Sequence, residues 1–227
     1  MQYLNITKGR FLERPNRFIA RVETEEGIQT VHVKNTGRCK ELLTPDAEVY
    51  LERGTNPNRK TQYDLVAVKK GSRVVNIDSQ APNRVFEEWA LCGGFLPQIS
   101  SLRREYVYGE SRLDFCLETS QGQHLVEVKG VTLEEDGVVR FPDAPTERGV
   151  KHIRELQKAV QQGMSASIVF VIQMEGVSCM RPNDETHPVF GVALREAAES
   201  GVGVYAVECA VTADSLSVSR YVPVELF

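Results

Sequence analysis

Over the first eighty residues, apolar positions come in short alternating runs rich in branched side chains, at 17–23, 29–33, 48–53, 65–69 and 73–77. A period of two puts successive side chains on opposite faces of a pleated sheet, so strands dominate this part. Turn chemistry separates them at Glu26-Gly27, Thr44-Pro45-Asp46, Asn56-Pro57-Asn58 and Lys70-Gly71-Ser72. That spacing predicts a small five-stranded barrel of the oligonucleotide-binding (OB) type rather than strand–helix repeats. Ala81-Pro82-Asn83 breaks the pattern, with Asn83 expected as N-cap of a helix that carries Val85, Phe86, Trp89 and Ala90 on one face. The boundary falls near residue 80, which makes 1–80 a barrel and 81–227 a second domain.

The second domain mixes periods. Segments 112–118 and 124–129 alternate around a five-residue loop containing Gly122 and read as a hairpin. Val150, Ile153, Leu156 and Val160 mark a helix that follows Thr146 and stops at Gly163, in the C′ position. The run 168–172 is too short for a helix and reads as a strand buried on both faces, 186–200 as a helix and 203–209 as a strand. The order helix, three strands, helix, strand, helix, strand is that of an α/β layered domain.

Three charged residues fall where this hairpin would bring them together. Leu113, Phe115 and Leu117 occupy one face of their strand and turn Asp114 to the other, while Glu127 and Lys129, two apart, share a face of the next. A Glu-x-Lys occurs roughly once by chance in a chain of this length, and alone it reads as a solvated strand face. Asp114 on the partner strand makes it a candidate site. Two carboxylates plus water suit Mg²⁺ or Mn²⁺, with Asp114 and Glu127 as metal ligands, and an ammonium beside them can orient water and offset charge on a phosphate. Glu88, on the preceding helix, is a further candidate carboxylate. The catalytic set is therefore Glu88, Asp114, Glu127 and Lys129.

A second informative stretch is Phe141-Pro142-Asp143-Ala144-Pro145-Thr146-Glu147-Arg148-Gly149-Val150-Lys151-His152. The helix it opens turns Arg148, Lys151, His152 and Glu155 away from the apolar stripe, where Glu147–Lys151 and Lys151–Glu155 have the spacing of i,i+4 ion pairs. Gly149 costs about 1 kcal/mol relative to Ala in a helix, which points to close approach of a backbone or a ligand. Arg148, Lys151 and His152 are accordingly expected to face DNA near the helix N-terminus, where anions are favoured.

Charge sharpens the division. The net charge of −4 over 227 residues splits into +4 for residues 1–80 (14 Lys+Arg, 10 Asp+Glu) and −8 for 81–227 (13 against 21). A basic barrel beside a carboxylate-bearing domain fits a phosphate grip next to a metal site. Arg17, Arg21, Lys34, Arg38, Lys40, Arg59 and Lys60 are the phosphate-contact candidates of the barrel, and Phe18 is expected in its core. No apolar run is long enough to span a bilayer and no signal pattern opens the chain, which reads as cytoplasmic with no membrane partner. Five scattered cysteines without C-x-x-C spacing read as buried free thiols, and four dispersed histidines give no zinc site. Phosphate-loop, dinucleotide, nucleophile-elbow and zincin motifs are all missing, which leaves a small-molecule enzyme without support.

Glu127-Val128-Lys129-Gly130-Val131-Thr132-Leu133, the 141–156 stretch and Tyr108-Gly109-Glu110-Ser111-Arg112-Leu113-Asp114-Phe115 together resemble the sugar fermentation stimulation protein A (SfsA) family. Arg17-Phe18, Asn35-Thr36-Gly37 and Arg59-Lys60 extend the resemblance over nearly the whole chain. The resemblance implies an OB-like N-terminal domain, a C-terminal domain similar to PD-(D/E)XK nucleases, DNA binding and a role in sugar-metabolism regulation. The nuclease motif then falls on Glu88, Asp114, Glu127 and Lys129. The chain departs from the family pattern around Asn-Thr-Gly, with Val33-Lys34 where Cys-Pro is usual and Cys39 where Met is usual. Two functions follow: a Mg²⁺-dependent DNA-cleaving enzyme, or a noncatalytic DNA-binding regulator that keeps the nuclease-like fold.

Overall fold

Six strands build the first half of this computed structural model: β1 (Ile6–Asn16), β2 (Ile19–Thr24), β3 (Gly27–Val33), β4 (Glu48–Arg53), β5 (Tyr63–Lys70) and β6 (Arg73–Asn76). The structure describes residues 1–35, 37–56 and 58–227; Thr36 of the Asn-Thr-Gly stretch and Pro57 of the third expected turn lie outside the described residues. The strands pair in the order β3-β2-β1-β4-β5-β6, and a parallel contact of β3 with β5 closes the first five into the expected OB barrel. Phe11, Val22, Val31, Leu51 and Leu65 fill its interior. Strand β1 escapes the alternation pattern because its centre is Gly9. A Cβ there would lie 2.4 Å from a Val22 methyl, so the close crossing of β1 and β2 requires glycine. Phe18 is not in the core: it is 45% exposed, with the Arg17 guanidinium 4.8 Å from its ring centre. The tight β1–β2 turn (Asn16↔Ile19) carries it outside the barrel.

Helix α1 (Ala81–Leu91) opens the second half, followed by β7 (Ser101–Tyr108), β8 (Ser111–Thr119) and β9 (Gly122–Val131). The short β10 (Glu134–Glu135) and β11 (Val138–Phe141) lead to α2 (Glu147–Gln161), β12 (Ser165–Ile172), β13 (Cys179–Pro182), α3 (Pro188–Glu199), β14 (Gly203–Val211) and β15 (Leu216–Val222). The main sheet runs β15-β14-β12-β9-β8-β7, with β12 parallel to both β9 and β14. Strand β12 shows how the layers form. Ile168, Phe170 and Ile172 join the core under α2 and α3, whereas Val169 and Val171 join the core under α1, where Phe86 packs on Phe115 and Phe95.

Two local expectations change. Helix α1 begins at Ala81 with Gln80 as N-cap and Pro82 in its first turn, so Asn83 lies inside the helix with its side chain free for another partner. The β8–β9 connection is a two-residue turn, Ser120-Gln121, rather than five residues, because the strands pair out to Thr119↔Gly122. Helix α2 matches its expected limits, capped by Thr146 Oγ1 accepting from the Gly149 amide at 3.1 Å, with Gly163 at φ +85° just beyond the C-cap. Gly149 answers a neighbouring helix rather than a ligand: a Cβ there would lie 2.9 Å from the Thr146 hydroxyl and 3.3 Å from the Phe190 ring of α3.

Two polar contacts lock the halves together. Glu134 accepts from Lys70 Nζ at 2.9 Å and lies 3.0 Å from Arg73 Nη1, both on the β5–β6 hairpin of the barrel. Gln173, at the end of β12, donates through Nε2 to Asn76 Oδ1 (2.7 Å) and the Asp78 carbonyl (3.0 Å), while its own carbonyl accepts from the Asn76 amide (2.9 Å). All five cysteines are free thiols, and four are buried; Cys92 is exposed at the end of α1. Among the described residues, no helix is long and apolar enough to cross a membrane.

Candidate active site and nucleic-acid interface

The ladders on both sides of β8 skip Asp114. On the β7 side the pairs step from Arg104↔Phe115 to Tyr106↔Leu113, and on the β9 side they stop at Phe115↔Val126. Glu105, opposite the gap, has φ +52°, a left-handed conformation uncommon for a residue other than glycine. The strand opening lets the Asp114 side chain take the place of backbone: Oδ2 accepts from the Val128 amide at 2.8 Å, and Oδ1 accepts from Asn83 Nδ2 of α1 at 2.9 Å. Glu127 and Lys129 follow on the α2 face of β9, in alternation with Val126 and Val128, which pack under α1.

Glu127 is 2% exposed. Its Oε1 accepts from Lys129 Nζ and from His152 Nδ1, whereas Oε2 is buried with no hydrogen-bond partner. Burial works to raise the Glu127 pKa, but the hydrogen bond from His152 and the neighbouring Lys129 charge outweigh it and hold the carboxyl below its ordinary value. Burial and then the charge of Glu127 push the Asp114 pKa up. Two desolvated carboxylates thus share the single Lys129 ammonium, and one oxygen of Glu127 is left over.

His152 does not face solvent for a phosphate. It is buried, and its Nε2 lies 3.4 Å from Arg148 Nε, which donates toward it and so fixes the tautomer whose Nδ1–H donates to Glu127. The buried face of α2 is Gly149, His152, Ile153, Leu156 and Ala159, so with the two small residues counted as apolar the stripe already contains His152. Glu155 is also buried and pairs with Lys158, and Lys151 reaches the Glu110 carbonyl at 3.0 Å, so neither expected i,i+4 pair forms. Arg148 and Lys151 stay exposed.

Glu88 is not brought to the cluster. It lies five residues beyond Asn83, a rotation of about 140° around the helix, and pairs with the N-terminal amine at 2.5 Å. Asn83 is the α1 residue that reaches Asp114, and asparagine in a helical first turn carries no signal for that role.

The barrel cations divide into two groups. Lys34 is largely buried among Asp78, Asp64 and Glu52 at 3.3, 3.5 and 3.7 Å, and Arg59 donates to Asp64 through Nη1 at 3.0 Å, so both are committed to internal carboxylates. Arg21 pairs with Glu13 at 3.2 Å on the surface. Arg17, Arg38 and Lys40 are exposed and line one groove of about 330 Å³ together with Arg14 and no acidic residue; Lys60 is exposed elsewhere. Arg14, absent from the sequence-based set, organises that groove. Its guanidinium donates to the carbonyls of Gly37, Arg38, Arg17 and Asn35 at 2.6–2.9 Å.

Profile comparison assigns residues 12–77 to the "SfsA N-terminal OB domain" and residues 80–215 to the "Sugar fermentation stimulation protein RE domain". The chain belongs to the SfsA family. Curated SfsA relatives named "Sugar fermentation stimulation protein homolog" are 51% identical in Clostridium beijerinckii, over all of both chains, and 51% identical in Desulfitobacterium hafniense, over all of this chain and 99% of that one. Among solved structures, the SfsA of Pyrococcus furiosus in complex with Ca²⁺ superposes with a TM-score of 0.86 at 29% identity, covering 99% of this chain and 98% of the other. The SfsA fold is thus an OB barrel joined to an α/β domain.

Proposed function

We propose that this SfsA-family protein binds DNA and hydrolyses its phosphodiester bonds with Mg²⁺ or Mn²⁺ at Asp114 and Glu127. The observation that carries the reading is Glu127 Oε2, a buried carboxylate oxygen without a partner beside a second carboxylate whose pKa is raised. Among the described residues, no group of three or more His, Cys, Asp and Glu is disposed to hold a metal, so the donor set is two carboxylates. That suits Mg²⁺, which keeps several waters and takes one or two carboxylates. The Pyrococcus furiosus relative was solved with Ca²⁺, another hard cation that prefers oxygen ligands. A bound ion would lower the pKa of a water and polarise a phosphoryl oxygen.

The chain's own groups have distinct tasks. Lys129 sits against Glu127 Oε1, where its ammonium orients the attacking water and offsets negative charge that develops on the phosphate. His152 and Lys129 together engage Oε1 and leave the buried Oε2 for another partner. Asn83 and the Val128 amide fix one lone pair on each Asp114 oxygen, and each oxygen keeps a second. The groove of Arg14, Arg17, Arg38 and Lys40 supplies phosphate contacts, and the exposed Phe18 under Arg17 supplies an aromatic face for stacking.

The test is cleavage of labelled single-stranded and duplex DNA with Mg²⁺, Mn²⁺ or EDTA, beside Glu127→Ala as the control for a contaminating nuclease. Metal-dependent cutting that disappears in the variant establishes the enzyme. Salt-sensitive binding without cutting of either DNA assigns the protein as a noncatalytic DNA-binding regulator.

A further inference from the structure

Two pairs of residues outside the carboxylate cluster, Asn35 with Gly37 and Phe141 with Asp143, meet around one cavity between the domains. It holds about 170 Å³ and is walled by residues 130–133 at the end of β9, by Asn35 and Gly37 of the barrel, and by Asp143. Its barrel wall is fixed, since Arg14 ties down the Gly37 and Asn35 carbonyls at 2.9 and 2.6 Å. Contact across the cavity edge is close: a Cβ on Gly37 would lie 2.6 Å from Asp143 Oδ2 and 2.8 Å from Asn35 Oδ1, so a side chain there would push both aside.

We propose that this cleft receives one unpaired nucleobase of the strand whose phosphate lies at Asp114, Glu127 and Lys129, which makes single-stranded or locally opened DNA the substrate. The inference rests on the DNA-cleavage reading above and adds the substrate class. Position argues for it. The cavity starts at Gly130, three residues beyond Glu127 on β9 and so about 10 Å along the strand at ~3.3 Å per residue, a span that one or two nucleotides of an extended strand cover. Size argues for it as well, because a cavity closed by the barrel on one side and β9 on the other admits a single planar ring and not a base pair. The chemistry agrees: the Asp143 carboxylate accepts from the N–H groups that every base edge carries, as acidic side chains do for exocyclic amines. A base already out of its duplex enters without the cost of unpairing, which selects unpaired substrate.

The experiment measures binding in EDTA, where metal-dependent cutting is stopped, of a fluorescein-labelled 12-nucleotide single strand, the same strand with one central abasic position, and the matching duplex. A fourth strand carries 2-aminopurine at the central position. The wild-type protein is expected to prefer the intact single strand over the duplex and over the abasic strand by about tenfold, the size of one stacked and bonded base, with a change in 2-aminopurine emission on binding. Thr132→Trp, which fills the cleft, is expected to abolish the emission change and bring the preferences within about twofold; Asp143→Asn is expected to lower them about threefold. Salt-sensitive binding by the wild-type protein with no preference and no emission change overturns the cleft proposal and leaves the DNA reading standing. No binding of any of these DNAs at low salt overturns both.

Discussion

Glu134→Gln tests how firmly the barrel is docked on the α/β domain, on which the cleft between them depends. The Glu134 side chain is 7% exposed and meets Lys70, Arg73 and the Gly137 amide at 2.9, 3.0 and 2.7 Å. Burial opposes its ionisation, but the hydrogen bonds from Lys70, Gly137 and Arg73 prevail and lower its pKa from 4.5 to about 2. At 1.36 kcal/mol per pKa unit, that difference between unfolded and folded chain is worth about 3 kcal/mol at neutral pH, trimmed to about 2–3 by solvent around the partly exposed Lys70 and Arg73. Because the folded pKa is the lower one, the contribution is complete above the unfolded value of 4.5 and is lost as pH falls toward 2. Urea unfolding followed by the fluorescence of Trp89, the one tryptophan, should show the wild-type protein more stable than the variant by about 2–3 kcal/mol at pH 7. The gap should shrink below pH 4.5 and vanish near pH 2. A gap of equal size at both ends of that range, or none at pH 7, refutes the reasoning.

At the site, Lys129→Ala should remove cleavage while most DNA affinity remains, and parallel loss of both in cleavage and anisotropy assays would deny it the assigned role. His152→Ala should weaken Mn²⁺ binding about tenfold by calorimetry, as loss of an outer-shell partner does; His152→Asn, which keeps a donor near the Nδ1 position, should recover most of it, and equal affinities in all three proteins would refute the positioning role. Replacing Arg38 and Lys40 together by Ala should make the log–log salt slope of duplex binding shallower by about 2, and an unchanged slope would place the phosphates elsewhere. Phe18→Ala should weaken single-strand binding by about 1–3 kcal/mol if a base stacks there, with no change expected in duplex binding.

Elements with a clean period were legible in the sequence. Strand β12, with both faces buried, and helix α2, with Thr146 and Gly163 at its ends, stand where the pattern puts them. Strand β7 was not legible, because as an edge strand it carries Arg103, Arg104 and Glu105 exposed in the middle of its length and shows no alternation. At the candidate site, period-two reasoning put Glu127 and Lys129 on one face of β9, as found. It expected Leu113, Phe115 and Leu117 to share a face, whereas the strand breaks at Asp114 and Leu113 joins the core under α2 while Phe115 and Leu117 lie under α1. It missed Asn83 and misplaced Glu88 because helix phase depends on where the helix starts, and α1 starts two residues earlier than its apparent cap. Among the barrel cations, Lys34 and Arg59 depart from the expected exposure for a different reason. Lys34 is turned inward by Asp64 of β5 and by Asp78 beyond β6, and Arg59 by Asp64 five residues on, and single-residue charge holds no record of that pairing.

The reciprocal amide pairing of Asn76 and Gln173 bears on how these domains can be exchanged between relatives. Each residue both donates to and accepts from the other, one from the last barrel strand and the other from the end of the central parallel strand. The Gln173 main-chain N–H is given to the Val131 carbonyl of its own domain at 3.0 Å. A barrel transplanted from a relative with a different side chain at position 76 would keep the main-chain bond but remove the buried Oδ1 acceptor of Gln173 Nε2, at a cost of about 1–3 kcal/mol. Chimeras are therefore expected to lose stability unless the two positions are inherited together, as a matched pair.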